Sequence, residues 1–188
     1  MLVKNWFNAM GWIQCVLALT ASAALAQSTN PAAGPEIRAY PAGLIGAARL
    51  DVPLGRNGWF IDATAGYNLT RRGDFGRHDD ERGGGPGLGI GVDHRFRAGP
   101  DGWFAGVRID WWWLGVDWLD RAPGRSGRTD VQVFQPTGRA GYGWTVFGGQ
   151  ARLEAAAALG AEINASSRGE AVGEGAIFLG GLSLLWRW

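Results

Sequence analysis

The sequence predicts an all-β fold, an eight-stranded antiparallel up-and-down transmembrane β-barrel that follows a cleaved signal peptide. Three observations carry that expectation. Apolar and polar residues alternate with a period of two over successive segments, as in strands whose two faces meet different surroundings. The apolar faces carry aromatic residues near both ends, ten positions apart, while the opposite faces carry arginines and carboxylates. Short turns alternate with longer polar connections, as in barrels with turns on one side of a membrane and loops on the other.

The chain of 188 residues contains 32 Gly, 11 Trp and one Cys, with 18 Lys plus Arg against 17 Asp plus Glu. A formal charge of +1 makes no case for a nucleic-acid partner, which needs a basic surface or stripe. Lys4 precedes an apolar stretch, Gly11 to Leu25, that ends in Ala24-Leu25-Ala26. The stretch is too short to cross a bilayer as a helix and has the form of a secretory signal peptide, cut between Ala26 and Gln27. The expected organisation is a signal peptide over 1–26, a short periplasmic leader over 27–35 and the barrel over 36–188. Cleavage removes Lys4 and Cys15, leaving an exported chain of 17 Arg and 17 acids with no disulfide. Its stability must come from another source, such as a closed backbone hydrogen-bond network.

A short first strand at 36–41 turns through Pro41 to Gly43 into a second at 44–54, where Leu50, Val52 and Leu54 oppose Arg49 and Asp51. In 59–70, Trp59, Ile61, Ala63, Ala65, Tyr67 and Leu69 oppose Asp62, Thr64, Gly66, Asn68 and Thr70. The fourth strand sets Leu88, Ile90, Val92 and His94 against Gly89, Gly91, Asp93 and Arg95; the fifth sets Trp103 to Trp113 against Gly106, Arg108 and Asp110, with Phe104 and Trp112 as apolar exceptions. Phe134 to Trp144 and Phe178 to Trp188 repeat the pattern. Residues 151–165 contain the helix-favouring run Ala-Arg-Leu-Glu-Ala-Ala-Ala-Ala-Leu, but the alternation of Arg152, Glu154, Glu162 and Asn164 against Leu153, Leu159 and Ile163 assigns a strand, since context overrides propensity. The long loops are expected at 71–85, 119–130 and 166–175, on the extracellular side.

Ten residues at about 3.3 Å each, tilted roughly 45°, span about 23 Å, close to the apolar band of a membrane barrel. Trp59, Tyr67, Trp103, Trp111, Trp113, Phe134, Trp144, Phe178, Trp186 and Trp188 are therefore expected to form two aromatic girdles. The opposite faces predict a lumen network of Arg49, Asp51, Asp62, Asp93, Arg95, Arg108, Asp110, Arg139, Arg152, Glu154, Glu162 and Arg187, joined by Glu36 and Arg38. The interior of an eight-stranded barrel is only wide enough to be filled by side chains, so these charges should pair as a plug. Inward glycines at 66, 89, 91, 106, 141, 143, 160 and 181 are expected to give the arginines room.

The signal peptide, the eight short alternating segments and the terminal Leu182-Ser183-Leu184-Leu185-Trp186-Arg187-Trp188 resemble the small OmpA/OmpX-type outer-membrane β-barrel proteins of Gram-negative bacteria. The resemblance implies export through the Sec pathway, residence in the outer membrane among lipid and lipopolysaccharide, and a last residue, here Trp188, read by the barrel-assembly machinery. That residue is usually Phe, so Trp is a departure. A structural or surface-interaction role as a monomer is expected, with no cofactor, no metal and no nucleic acid.

No catalytic constellation accompanies the pattern. His94 lies on an apolar face with no Ser nearby, and His78 lies in a mixed-charge segment beside Asp79, Asp80 and Glu81. Those acids could ligate a hard cation, and the neighbouring arginines could meet lipopolysaccharide phosphates. The alternatives are an envelope enzyme acting on lipid A or phospholipid, motivated only by His78 among acids, and a narrow pore.

Overall fold

The computed structural model describes residues 30–55, 57–73, 76–96 and 101–188. The signal peptide and its Ala26/Gln27 cleavage point lie outside them. Eight strands follow in chain order: β1 (Ala32–Tyr40), β2 (Gly43–Leu54), β3 (Trp59–Arg72), β4 (Asp80–Arg95), β5 (Gly102–Asp120), β6 (Arg125–Val146), β7 (Ala151–Arg168) and β8 (Gly175–Arg187). Each pairs antiparallel with the next, and β1 also pairs with β8, so the sheet closes into an up-and-down barrel. Closure satisfies every strand edge internally, which suits a chain without disulfides. Both ends of the barrel sequence lie at one rim, the lower, where β2 also ends and β3 starts, β4 ends and β5 starts, and β6 ends and β7 starts. At the other, upper rim β1 ends and β2 starts, β3 ends and β4 starts, β5 ends and β6 starts, and β7 ends and β8 starts.

Every strand expected from the sequence is present, β7 included, but the boundaries move. β1 starts at Ala32, not at 36, so the last residues of the expected leader are already paired with β2. The loop expected over 71–85 shrinks because β3 runs to Arg72 and β4 starts at Asp80. Residues 119–130 are mostly a continuation of the β5–β6 ladder, with Leu119 paired to Ser126 and Asp120 to Arg125. The loop expected over 166–175 is reduced to 169–174. Composition misled in these places. Gly83-Gly84-Gly85-Pro86-Gly87 resembles a turn, yet it is strand, because the Trp112 ring lies over Gly87 where a Cβ would sit 2.1 Å from Trp112 Cε3.

Prolines are accommodated where the ladders have gaps. The β1–β8 ladder skips Gly34 and Pro35, β4–β5 skips Gly85 and Pro86, and β6–β7 skips Gln135 and Pro136. A residue with no N–H cannot serve both neighbours, so each proline costs one rung and leaves the barrel closed. An extra residue at Ala165 bulges β7 where the register shifts between Gln132 and Val133.

Side chains divide the barrel along its axis. On β5 the outward positions run Trp103, Ala105, Val107, Ile109, Trp111 and Trp113, then Gly115 and Asp117; the buried inward ones run Arg108, Asp110, Trp112, Leu114, Val116 and Trp118. The apolar face is thus outside in the lower part of the strand and inside in the upper part. β6 reverses at the matching level, with Val131 and Val133 buried inside and Arg128 and Asp130 outside. Leu114, Val116, Trp118, Val131, Val133, Val172, Ile177 and Leu179 pack with Tyr40, Ile45 and Trp112 into an apolar core in the upper lumen.

Candidate functional site: a charged lumen inside an apolar belt

The lower lumen holds a connected ionic network. Six arginines, at 38, 49, 95, 108, 139 and 152, meet six carboxylates, Glu36, Asp51, Asp62, Asp93, Asp110 and Glu154. Arg49 is the hub. Its Nε donates to Asp51 at 2.6 Å and its Nη1 to Glu154 at 2.9 Å, while its guanidinium also reaches Glu36 at 3.4 Å and Asp93 at 3.3 Å. Arg108 joins Glu36 at 2.5 Å to Asp62 at 2.7 Å. Arg139 joins Asp62 to Asp93, Arg38 donates to Asp110 at 2.6 Å, and Arg95 spans Asp51 and Glu154. Contacts from β1, β2, β3, β4, β5, β6 and β7 converge here, so the network ties together strands far apart in sequence. Equal numbers of opposite charges matter because an unpaired buried ion costs several kcal/mol.

Two expected members stand elsewhere. Glu162 belongs to a separate upper cluster, where it accepts two bonds of 2.7 Å from Arg72. Arg72 also meets Glu81 at 3.3 Å. Arg187 lies half-buried at the lower rim and forms no ion pair among the described residues. Arg72 and Glu81 were not foreseen, although each keeps the inward parity of its strand; the turn-like composition of 71–85 hid them. The glycines also work differently from expectation. A Cβ on Gly89, Gly91 or Gly106 would meet the carboxylates of Asp110, Asp62 and Asp93, and one on Gly141 would meet the Phe104 ring. Only Gly143 and Gly181 lie under arginines, and Gly66 and Gly160 face neighbouring backbone.

The apolar belt surrounds this charged segment. All ten expected girdle residues lie on outward positions, with Trp103 63 % and Trp188 66 % exposed, and Trp111, Trp113 and Phe134 half-buried against neighbours. Near the lower rim, Trp59 contacts His94 at 4.7 Å, and Tyr142 lies between Trp103 at 5.3 Å and Trp144 at 5.0 Å. Near the upper edge, Trp111 and Phe134 meet edge-on at 5.8 Å. Between the two rows stand Ile90, Val107, Ile109, Leu159 and Leu182, all exposed. So large an exposed apolar surface marks contact with something apolar.

Above the belt His78, of the mixed-charge segment, is buried. Its ring stacks on Trp118 at 4.3 Å, Nδ1 lies 3.0 Å from Asp120 Oδ1, and Nε2 lies 3.1 Å from the Ala171 carbonyl. Partial burial disfavours the Asp120 carboxylate, but the bonds from His78 and Arg125 outweigh it and hold the carboxyl below its ordinary value. Glu81, fully buried, accepts from the backbone N–H groups of Arg77, His78 and Gly173. These contacts clasp the 73–79 and 169–174 connections to the top of β5. Both His78 ring nitrogens face structural partners, and His94 is engaged in the outward aromatic row. Neither has a hydroxyl partner among the described residues.

No family model matches the chain, and no curated protein matches it. Among solved structures, the N-terminal β-barrel domain of Pseudomonas aeruginosa OprF is similar at 11% identity with a TM-score of 0.48, over 86% of this chain and 98% of that one. Ail, the attachment invasion locus protein of Yersinia pestis, is similar at 10% identity with a TM-score of 0.43, over 84% of this chain and 99% of that one. By its own strand order this chain is an eight-stranded antiparallel up-and-down barrel.

Proposed function

We propose that this chain is an integral barrel of the Gram-negative outer membrane, with a structural or surface-interaction role. The observation that carries this reading is the reversal of polarity along β5 and β6. A soluble barrel would be apolar inside over its whole length. Here the lower segment is charged inside and apolar outside, between two aromatic rows, and only the upper segment follows the soluble rule. A bilayer around the lower segment and water around the upper one account for both. The orientation then puts the upper rim, with 73–79, 121–124 and 169–174, outside the cell. Lipid and lipopolysaccharide surround the belt, Trp188 serves the barrel-assembly machinery, and the chain works as a monomer exported through the Sec pathway.

The ionic network makes the lumen a plug and disfavours a pore. A void of about 20 Å³ among Glu36, Arg38, Arg49, Arg108 and Arg139 has room for about one water. Cell fractionation tests the reading. The folded protein should enter the outer-membrane fraction and migrate differently on a gel before and after boiling; recovery in the soluble or inner-membrane fraction overturns it.

A further inference from the structure

We propose that Arg71 and Arg82 form a seat for a phosphate monoester carried by a lipid headgroup at the outer edge of the belt. The proposal rests on the membrane reading above and adds a specific lipid contact to it. Arg71 of β3 and Arg82 of β4 are direct cross-strand partners on the outward face, both exposed. Directly opposed residues have Cβ atoms about 5 Å apart, and like charges so placed repel. An anion between them turns that repulsion into attraction.

The neighbouring acids do not serve this purpose for Arg71. Asp80 is bound to Arg82, at 3.1 Å from Nε and 2.8 Å from Nη2. Asp117, the partner of Arg82 on the β5 side, is paired with Arg128 at 3.3 Å, and Asp130 lies 3.5 Å from the same arginine. Arg71 forms no ion pair among the described residues. Among the described residues its guanidinium is therefore the one uncompensated cation of this group, beside a second guanidinium that Asp80 only partly occupies.

The floor of the seat fixes what kind of anion fits. The rungs below Arg71–Arg82 are Leu69–Gly84 and Tyr67–Pro86. A Cβ on Gly84 would lie 2.9 Å from Tyr67 Cε1, so the Tyr67 ring lies across the glycine beneath the two arginines. Tyr67 and Leu69 are 51 % and 54 % exposed and belong to the apolar belt. A ligand here meets cations above and an apolar surface below, the two halves of an amphiphile. Arg presents paired N–H donors that match phosphate oxygens.

The full chain would be folded into phosphatidylcholine nanodiscs containing lipid A, and the lipid retained by the barrel counted by native mass spectrometry. Wild type should retain lipid A and not its dephosphorylated form. Arg71→Gln with Arg82→Gln should lower retention about tenfold, the scale of lost charge-assisted hydrogen bonds. Arg128→Gln should stay within about twofold of wild type, because its charge is already compensated. Undiminished retention by the double variant, equal retention of dephosphorylated lipid, or displacement by millimolar inorganic phosphate would each overturn the lipid seat. A wild-type chain that does not enter nanodiscs in a heat-modifiable form would instead overturn the membrane reading itself.

Discussion

Arg49 shows how residue chemistry and fold depend on each other here. Its guanidinium serves Asp51, Glu154, Glu36 and Asp93, so its removal leaves several buried carboxylates short of a partner. Arg49→Met should cost about 3–5 kcal/mol in urea unfolding of the membrane-folded barrel, the usual cost of breaking a buried ionic group. Arg128→Met removes a pair whose side chains are both more than half exposed and should cost under about 1 kcal/mol. Glycines divide in the same way. Gly87→Val drives a branched side chain into the Trp112 ring and should cost about 1–3 kcal/mol by overpacking, measured by the same unfolding assay. Gly138→Ala places its methyl in open space on the belt and should leave the midpoint nearly unchanged.

At the scale of elements, connections are held by single side chains. At the lower rim, Asp101 Oδ1 accepts from the Thr145 N–H at 2.5 Å, which keeps the carboxyl below its ordinary range. A depressed carboxyl stabilises the fold above its unfolded value, about 3.9, and loses that contribution as pH falls through the lower folded value. Protection of the Thr145 amide against hydrogen exchange, relative to the unstructured rate at each pH, should therefore hold from neutral pH to about 5 and fall only below about 4. At the upper rim, His78→Ala removes the stack on Trp118 and the bonds to Asp120 and Ala171. Limited proteolysis should then cut within 73–79 and 169–174 while the strands remain intact. The strands in the belt were legible in the sequence because alternation there is nearly unbroken, as from Trp103 to Trp113. The upper strands were not. Beyond Trp113 the apolar residues Leu114, Val116 and Trp118 change to the other parity, so a reader following one apolar face stops at the point of reversal. The inward Arg72 and Glu81 were lost for a related reason, since turn-like glycines separate them from the clear alternation of β4.

On the scale of the whole molecule, the chain solves two solvation problems in series. Inside the belt every lumen charge must find a partner, because the wall around it is apolar; above the belt the polar groups turn outward and the lumen becomes an ordinary core. Planar-bilayer recordings should accordingly show no conductance, since the charged segment and the apolar core obstruct the same axis. The height of the belt can be mapped by moving a charge along the outward face of β5. Val107, 62 % exposed between the aromatic rows, would face mid-bilayer on the proposed membrane reading, and Val107→Arg should then destabilise the membrane-folded barrel by about 2–4 kcal/mol. Substitution of Arg for Trp113 should cost less, about 0–1 kcal/mol beyond the lost indole contacts. At Asp117, which is already charged and 66 % exposed, Arg should cost no more than about 1 kcal/mol, from the lost Arg128 pair and the facing Arg82. Penalties that peak at Val107 and fall to this local term by Asp117 would follow from a bilayer that ends where the polarity reverses. A flat profile would mean that water, not lipid, surrounds the aromatic rows.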